Sequence, residues 1–330
     1  MTMSSFYNSY AGMYIVQSLS HSFITVLLVD AALQAWKIEN PVTRQRFRLL
    51  VIILPILLFP LYQAVNPARS SLSFRLTALF DSARWLNLEL WQGIHAGALF
   101  LLLLSFTTFV FVVQEMVPII KHALASKKSG SHGEKPDGDS SVMKALAALP
   151  GPIPDALIIP DDDLVLFVTT GRHPTVFLST AAVKELTEEE IQAAIAHEIA
   201  HIERNKRPLL IAAFLLRIMQ FFNPISLMEF RRIVQEEEKI CDDIAVALTG
   251  KSQALADTLR KFHPPEDDEQ AEQQAAAVRL SDRLEEFSHA LVIQSRIERL
   301  EAPRMPGRDG NRFAFVLTCA AILFINYTVV

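Results

Sequence analysis

The chain has 330 residues, 51% of them hydrophobic and 20% charged, with a formal net charge of −5. Mean hydropathy is +0.26 and the isoelectric point about 6.0; soluble domains carry nearer to about 25% charged residues, so the composition points to a membrane protein with a soluble part, and its acidic balance leaves no case for direct nucleic-acid binding. The two cysteines, Cys241 and Cys319, lie far apart and exclude both a disulfide framework and a cysteine metal cluster.

Four apolar stretches approach the roughly 20 residues that a spanning helix needs. The first is Met13–Trp36, with Gln17, His21, Ser22 and Asp30 on a face expected to look into a bundle. No Lys or Arg precedes Lys37, so the basic start of a signal peptide is missing. The second, Leu49–Val65, holds Pro55 and Pro60, which membrane helices tolerate when neighbours satisfy the freed carbonyls. The third is Leu90–Gln114, free of charge, and the fourth is Phe313–Val330. Lys37, Arg44, Arg46 and Arg48 follow the first stretch, Lys121, Lys127, Lys128 and Lys135 the third, and Arg304, Arg308 and Arg312 precede the fourth. Arg69, Arg75 and Arg84 fall on the other side and weaken the contrast. The positive-inside rule then expects the N-terminus outside and residues 121–312 in the cytoplasm. A shorter apolar stretch, Leu209–Phe222, contains Arg217; it reads equally as a helix lying against the bundle or as a buried helix of the soluble part.

Residues 126–141, "SKKSGSHGEKPDGDSS", have linker composition. "DLVLFVTTG" and "PTVFLST", separated by Gly171–Pro174, predict a hairpin. Thr187 and Glu190 form a capping box that announces a helix over "LTEEEIQAAIAHEIAHIERN". Asn223 and Pro224 precede a second helix over about Ser226–Leu248, closed by Gly250. The acidic Gln/Ala-rich region 266–280 is expected at the surface.

Within the announced helix, "AIAHEIAHIER" puts His197 and His201 four residues apart. That spacing sets both imidazoles on one helix face, and neutral imidazole suits Zn2+. Glu198 sits on the flank of that face, close enough to reach a metal-associated water, in the arrangement of a metalloprotease general base. A catalytic zinc site needs a third protein ligand and an open position. "EEEKICDDIA" offers Glu236, Glu237, Glu238, Asp242 and Asp243; Glu238 and Asp242 share a face, so one can ligate while the other orients an imidazole. A donor to the developing oxyanion is sought among His263, Arg296 and His173. Cys241 reads as a small buried residue.

"HEIAH", "FFNP", "EKICD" and "RIERL" together resemble an integral-membrane zinc metallopeptidase of the gluzincin type. The chain is most similar to the family of the β-lactam-sensing signal transducers (BlaR/MecR), and more distantly to the HtpX heat-shock and CAAX prenyl proteases. The Glu-x-x-Cys-Asp form of Glu238, Cys241 and Asp242 favours the sensor-transducer family. The resemblance implies that Glu238 is the third metal ligand and that Asp242 orients a ligand histidine. It further implies that 164–170, with Leu164, Phe167 and Thr169, is the strand against which an extended substrate pairs. The β-lactam sensors continue into an extracellular penicillin-binding domain after the last span, whereas this sequence stops at Val330, so covalent β-lactam capture is not expected of it.

The expected architecture is a mainly α membrane protein with about four transmembrane helices and an inserted α+β zincin-like metallopeptidase domain. Residues 1–120 form the three-span membrane region, 121–152 a flexible linker, 153–312 the cytoplasmic peptidase domain and 313–330 the last span. The expected function is zinc-dependent endopeptidase action in regulated proteolysis at a bacterial inner membrane. A protein or peptide substrate is expected, with a transcriptional repressor, the chain itself or membrane proteins under quality control as candidates, and the lipid bilayer as the other partner. The alternative is a receptor or scaffold that keeps the fold without cutting; the Glu198 base argues against it.

Overall fold

The computed structural model describes residues 9–117, 133–151, 154–169, 174–205, 209–264, 280–302 and 312–330. Helix α1, Tyr10–Ala35, starts at Ser9, whose hydroxyl accepts the Gly12 N–H at 3.1 Å. Helix α2, Pro41–Val65, is capped by the Asn40 side chain with proline at its first position, where the missing N–H costs nothing. These two helices are long and apolar enough to cross a membrane. Short helices α3, Leu72–Thr77, and α4, Ser82–Leu86, lead to a hairpin of β1, Glu89–Trp91, and β2, Ile94–His95. Helix α5, Ala96–Phe111, runs on as a π-turn over Val112–Met116. The helix expected from Leu90 thus starts six residues later. Gln92 and Gly93 take positive φ angles of 40° and 84°, the backbone of a tight hairpin turn, and hydropathy alone does not register that turn.

Within the stretch expected as linker, Ser141–Ala147 forms helix α6, with Val142, Ala145 and Leu146 buried; residues 118–132 lie outside the described residues. Strands β3, Asp155–Ile159, β4, Leu166–Val168, and β5, Thr175–Ser179, follow, then α7, Thr180–Glu185, and α8, Glu188–Asn205. The remaining helices are α9, Leu209–Met219, α10, Pro224–Thr249, α11, Ser252–Phe262, α12, Leu280–Glu301, and α13, Arg312–Tyr327. Gly250, at φ 71°, ends α10 as expected, its N–H bonded to Val246 O at 2.8 Å.

The chain divides into two compact units. The first comprises Met1–Ser129, Pro208–Glu237 and Pro306–Val330. Its core joins Val29 and Leu33 of α1, Phe47, Val51 and Leu58 of α2, and Ala314 and Ile322 of α13. Near Pro55 and Pro60, side-chain donors reach backbone carbonyls: Gln220 to Ile52 O at 2.9 Å and Ser18 to Pro55 O at 3.1 Å. Residues 208–237, expected inside the peptidase domain, group with this unit because Ala213 of α9 packs with Leu49, Ile52 and Ile233.

The second unit comprises Gly130–Arg207 and Glu238–Met305. Its three-stranded sheet has the order β3-β5-β4. The expected hairpin is present: β4 pairs antiparallel with β5, Leu166 opposite Leu178. The third strand, β3, pairs parallel with β5 from Asp155↔Thr175 to Ile159↔Ser179 and was not anticipated from the sequence. Beneath the sheet lies one core built from Leu146, Val176, Leu178, Ile191, Ile195, Val246, Leu255, Ile293 and Ile297. Each fully buried isoleucine there contributes about 1.5–3 kcal/mol.

Candidate metal centre

Helix α8 is fixed at its start by the capping box. Thr187 N–H donates to Glu190 Oε2 at 2.7 Å, and Glu190 N–H donates to Thr187 Oγ1 at 3.3 Å. Glu188, Glu189 and Glu190 fill the first turn, where carboxylates suit the helix dipole. Ile191, Ile195, Ala196 and Ala200 are fully buried, and this inner row turns His197 and His201 together toward α10. The second unit's portion of α10 starts at Glu238.

His197 Nε2 and His201 Nε2 lie 3.1 Å apart, with the two rings nearly perpendicular. Glu238 closes the set, its Oε1 3.5 Å from His201 Nε2 and its Oε2 3.4 Å from His197 Nε2. One donor atom from each of the three residues falls within 4.8 Å of the others. Two imidazole nitrogens and a carboxylate oxygen facing one point are a donor set that fits a divalent transition-metal ion, zinc above all. His197, His201 and Glu238 would hold it.

Behind the donors, Asp242 Oδ1 sits 3.0 Å from His197 Nδ1. Asp242 is in turn gripped by Arg296 of α12, Nε to Oδ2 at 2.9 Å and Nη2 to Oδ1 at 2.7 Å. The remaining Arg296 nitrogen, Nη1, reaches Glu238 Oε2 at 3.0 Å. Cys241 Sγ, fully buried, lies 3.4 Å from His201 Nδ1.

The electrostatics favour positive charge at the histidine pair. Burial pulls the His197 imidazole down, but Asp242 and Glu238 outweigh it and raise its pKa to about 9. Burial pushes Asp242 up, yet His197 and Arg296 bring it down to about 2. Glu238 is lowered for the same reasons, against its own burial. Surroundings that hold carboxylates ionised around two imidazoles are those a cation requires. Glu198 behaves oppositely: burial is the largest influence and raises it, with the charge of His197 and then the Val168 backbone hydrogen bond partly offsetting. A raised carboxyl is the property a general base needs near neutrality.

Of the other residues singled out from sequence, Phe167 lies on β4, which pairs on one side only in the β3-β5-β4 order. Its ring is exposed along one face and stacks on Phe177 at 5.0 Å. Leu164 precedes the strand and packs on the core, and Thr169 N–H bonds Thr175 O at 3.0 Å. Arg296 is at the site, with all three guanidinium nitrogens engaged by carboxylates. His263 sits exposed at the end of α11, its Nδ1 3.3 Å from Leu259 O of its own helix. His173 and residues 265–279 lie outside the described residues. The contact of Cys241 with His201 was missed. Its signal was present: positions 241 and 242 flank position 238 on a helix of 3.6 residues per turn.

No curated protein matches the chain. Residues 167–285 match the family model described as BlaR1 peptidase M56, a span that contains His197, Glu198, His201, Glu238 and Asp242. Over those residues the chain is similar to BlaR1/MecR-type M56 peptidases.

Proposed function

We propose that the protein is a membrane-anchored, zinc-dependent endopeptidase that acts in regulated proteolysis. The observation that carries this reading is the convergence of His197, His201 and Glu238, with the half-buried Glu198 beside them on the helix of the two histidines and its carboxyl pKa raised. When bound, zinc acidifies water and polarises the scissile carbonyl. Glu198 takes the proton of the attacking water and returns it to the leaving amine. Asp242 keeps the proton on His197 Nδ1, which leaves Nε2 free to donate. Beside the Val168–Glu198 hydrogen bond, the edge of β4 that no described strand covers offers backbone groups to an extended substrate. Arg296, engaged by Asp242 and Glu238, serves better as a charge brace than as the oxyanion donor.

Helices α1 and α2 supply the anchor, with the apolar α5 and α13 as further spans. The Lys/Arg distribution favours an outside N-terminus and a cytoplasmic 121–312. The substrate is then a cytoplasmic or membrane-embedded protein, a transcriptional repressor or the chain itself. A phosphatase reporter that works only after export, fused at residue 130, should be silent because that residue stays in the cytoplasm; activity there overturns the orientation. For the chemistry, Glu198→Gln should still bind one zinc but lose peptide cleavage, while His197→Ala loses both. Cleavage retained in Glu198→Gln overturns the general-base assignment.

A further inference from the structure

Both ligand histidines turn Nε2 toward the shared donor point, at 3.1 Å from each other. Each Nδ1 therefore faces away and carries the ring proton in the neutral, ligating tautomer. That N–H needs an acceptor, because the partner of the outer nitrogen sets tautomer and ring angle. For His197 the acceptor is Asp242 Oδ1 at 3.0 Å. For His201 the group at hand is Cys241 Sγ at 3.4 Å, on a residue with no exposed surface.

The helix geometry explains how adjacent residues serve two different rings. Successive residues are about 100° apart around an α-helix. Cys241 therefore lies about 60° to one side of the Glu238 row and Asp242 about 40° to the other. Glu238 points at the metal position between them, and each flanking side chain meets one histidine of α8. One turn of α10 thus supplies a ligand and both outer partners.

We propose that Cys241 is a positioning residue: its sulfur accepts the Nδ1–H of His201 and holds that imidazole in its ligating tautomer and orientation. The inference rests on the zinc reading of the site. It replaces the simpler view of Cys241 as a packing residue. A thiol sulfur is a weaker acceptor than a carboxylate, so the two histidines are held unequally, His197 firmly and His201 softly. The softer hold leaves His201 as the ligand that exchanges first.

The two views part on substitution. For a packing residue, Cys241→Ala is mild and zinc affinity is untouched. For a positioning residue, Cys241→Ala removes the acceptor and weakens zinc binding by about tenfold. Cys241→Ser restores a hydroxyl acceptor and should stay within about threefold of wild type, in the spirit of the same outer-partner range. The measurement is zinc dissociation by chelator competition on the full-length chain, with the visible absorption of the cobalt(II)-loaded protein as a second readout. The band should shift in Cys241→Ala and return in Cys241→Ser. Equal zinc affinity in Cys241→Ala and wild type overturns the proposal and leaves the zinc reading intact. A wild-type chain that takes up no zinc overturns both. If Cys241→Ala fails to fold, Cys241→Ser decides alone: an affinity tenfold or more below wild type overturns it.

Discussion

Two buried arginines, Arg69 in the first unit and Arg296 in the second, are satisfied in opposite ways. Arg69, 1% exposed, meets neutral groups among the described residues. Its Nε donates to Tyr327 O at 3.1 Å, Nη1 to Gln17 Oε1 at 3.0 Å and Nη2 to Asn326 O at 3.1 Å, with Val329 O as a further acceptor. The Tyr62 ring lies 4.7 Å from its carbon centre. Arg296, 6% exposed, meets two carboxylates instead. Dipoles can solvate one cation without adding charge, which suits an apolar bundle where every backbone group must be satisfied internally. Carboxylates balance a cation charge for charge, and beside His197 and His201 they leave acidic groups that could also hold a metal ion. The first guanidinium ties chain segments together, while the second neutralises carboxylates of the candidate metal centre.

The largest effect should come from breaking the charged arrangement. Arg296→Met leaves the buried Asp242, and beside it the half-buried Glu238, without the guanidinium, and unpairing a buried charge costs about 3–5 kcal/mol. Denaturant unfolding of the metal-free chain measures it, and saturating zinc should recover part of the loss, because the ion supplies positive charge at the same carboxylates. A variant as stable as wild type without metal would mean that Arg296 is not the brace. Arg69→Met should cost less. It leaves carbonyls and an amide unsatisfied, at about 1–3 kcal/mol for buried polar groups, and zinc should restore nothing. Arg69→Lys should recover only a fraction, since a single ammonium cannot reproduce the forked donor set. Equal losses for Arg69→Met and Arg296→Met, or zinc rescue of the former, would erase the distinction between the two arginines.

How much of this was readable in advance follows from sequence separation. The HExxH pair, its capping box and the Gly250 stop are local patterns within a few residues, and the structure has each of them where the sequence predicts. The pairing of Glu238 with the two histidines rested on family resemblance, and the geometry brings them together. Arg296 and Asp242 are 54 positions apart, and no periodicity in either helix announces which side chain will cross the gap. Strand β3 escaped because its pairing is parallel and non-local, and because the short "DALII" run is framed by prolines at Pro154 and Pro160. Helix α6 escaped because its seven residues adjoin a polar stretch whose composition dominates any averaged reading.

The smallest effect belongs to a pair at the edge of burial, and it sharpens the same contrast. Glu190 Oε2 accepts from Lys261 Nζ at 2.7 Å while closing the capping box with Thr187. Burial alone would raise this carboxyl, but the hydrogen bonds of Lys261 and Thr187 outweigh it and its pKa is lowered. A carboxyl whose folded value lies below its unfolded value binds protons more weakly when folded. Its contribution is therefore fully present above the ordinary carboxylate range and disappears as pH falls through the folded value. Wild-type stability should decline across that acid window, and Glu190→Gln should show a shallower decline there. Thr187→Ala removes the other half of the box and should cost about 1 kcal/mol at neutral pH. Because Lys261 is partly exposed, added salt should weaken its share, whereas the enclosed Arg296–Asp242 pair should be far less sensitive. If salt reduced both contributions alike, burial would not be what separates the site's charges from those at the surface.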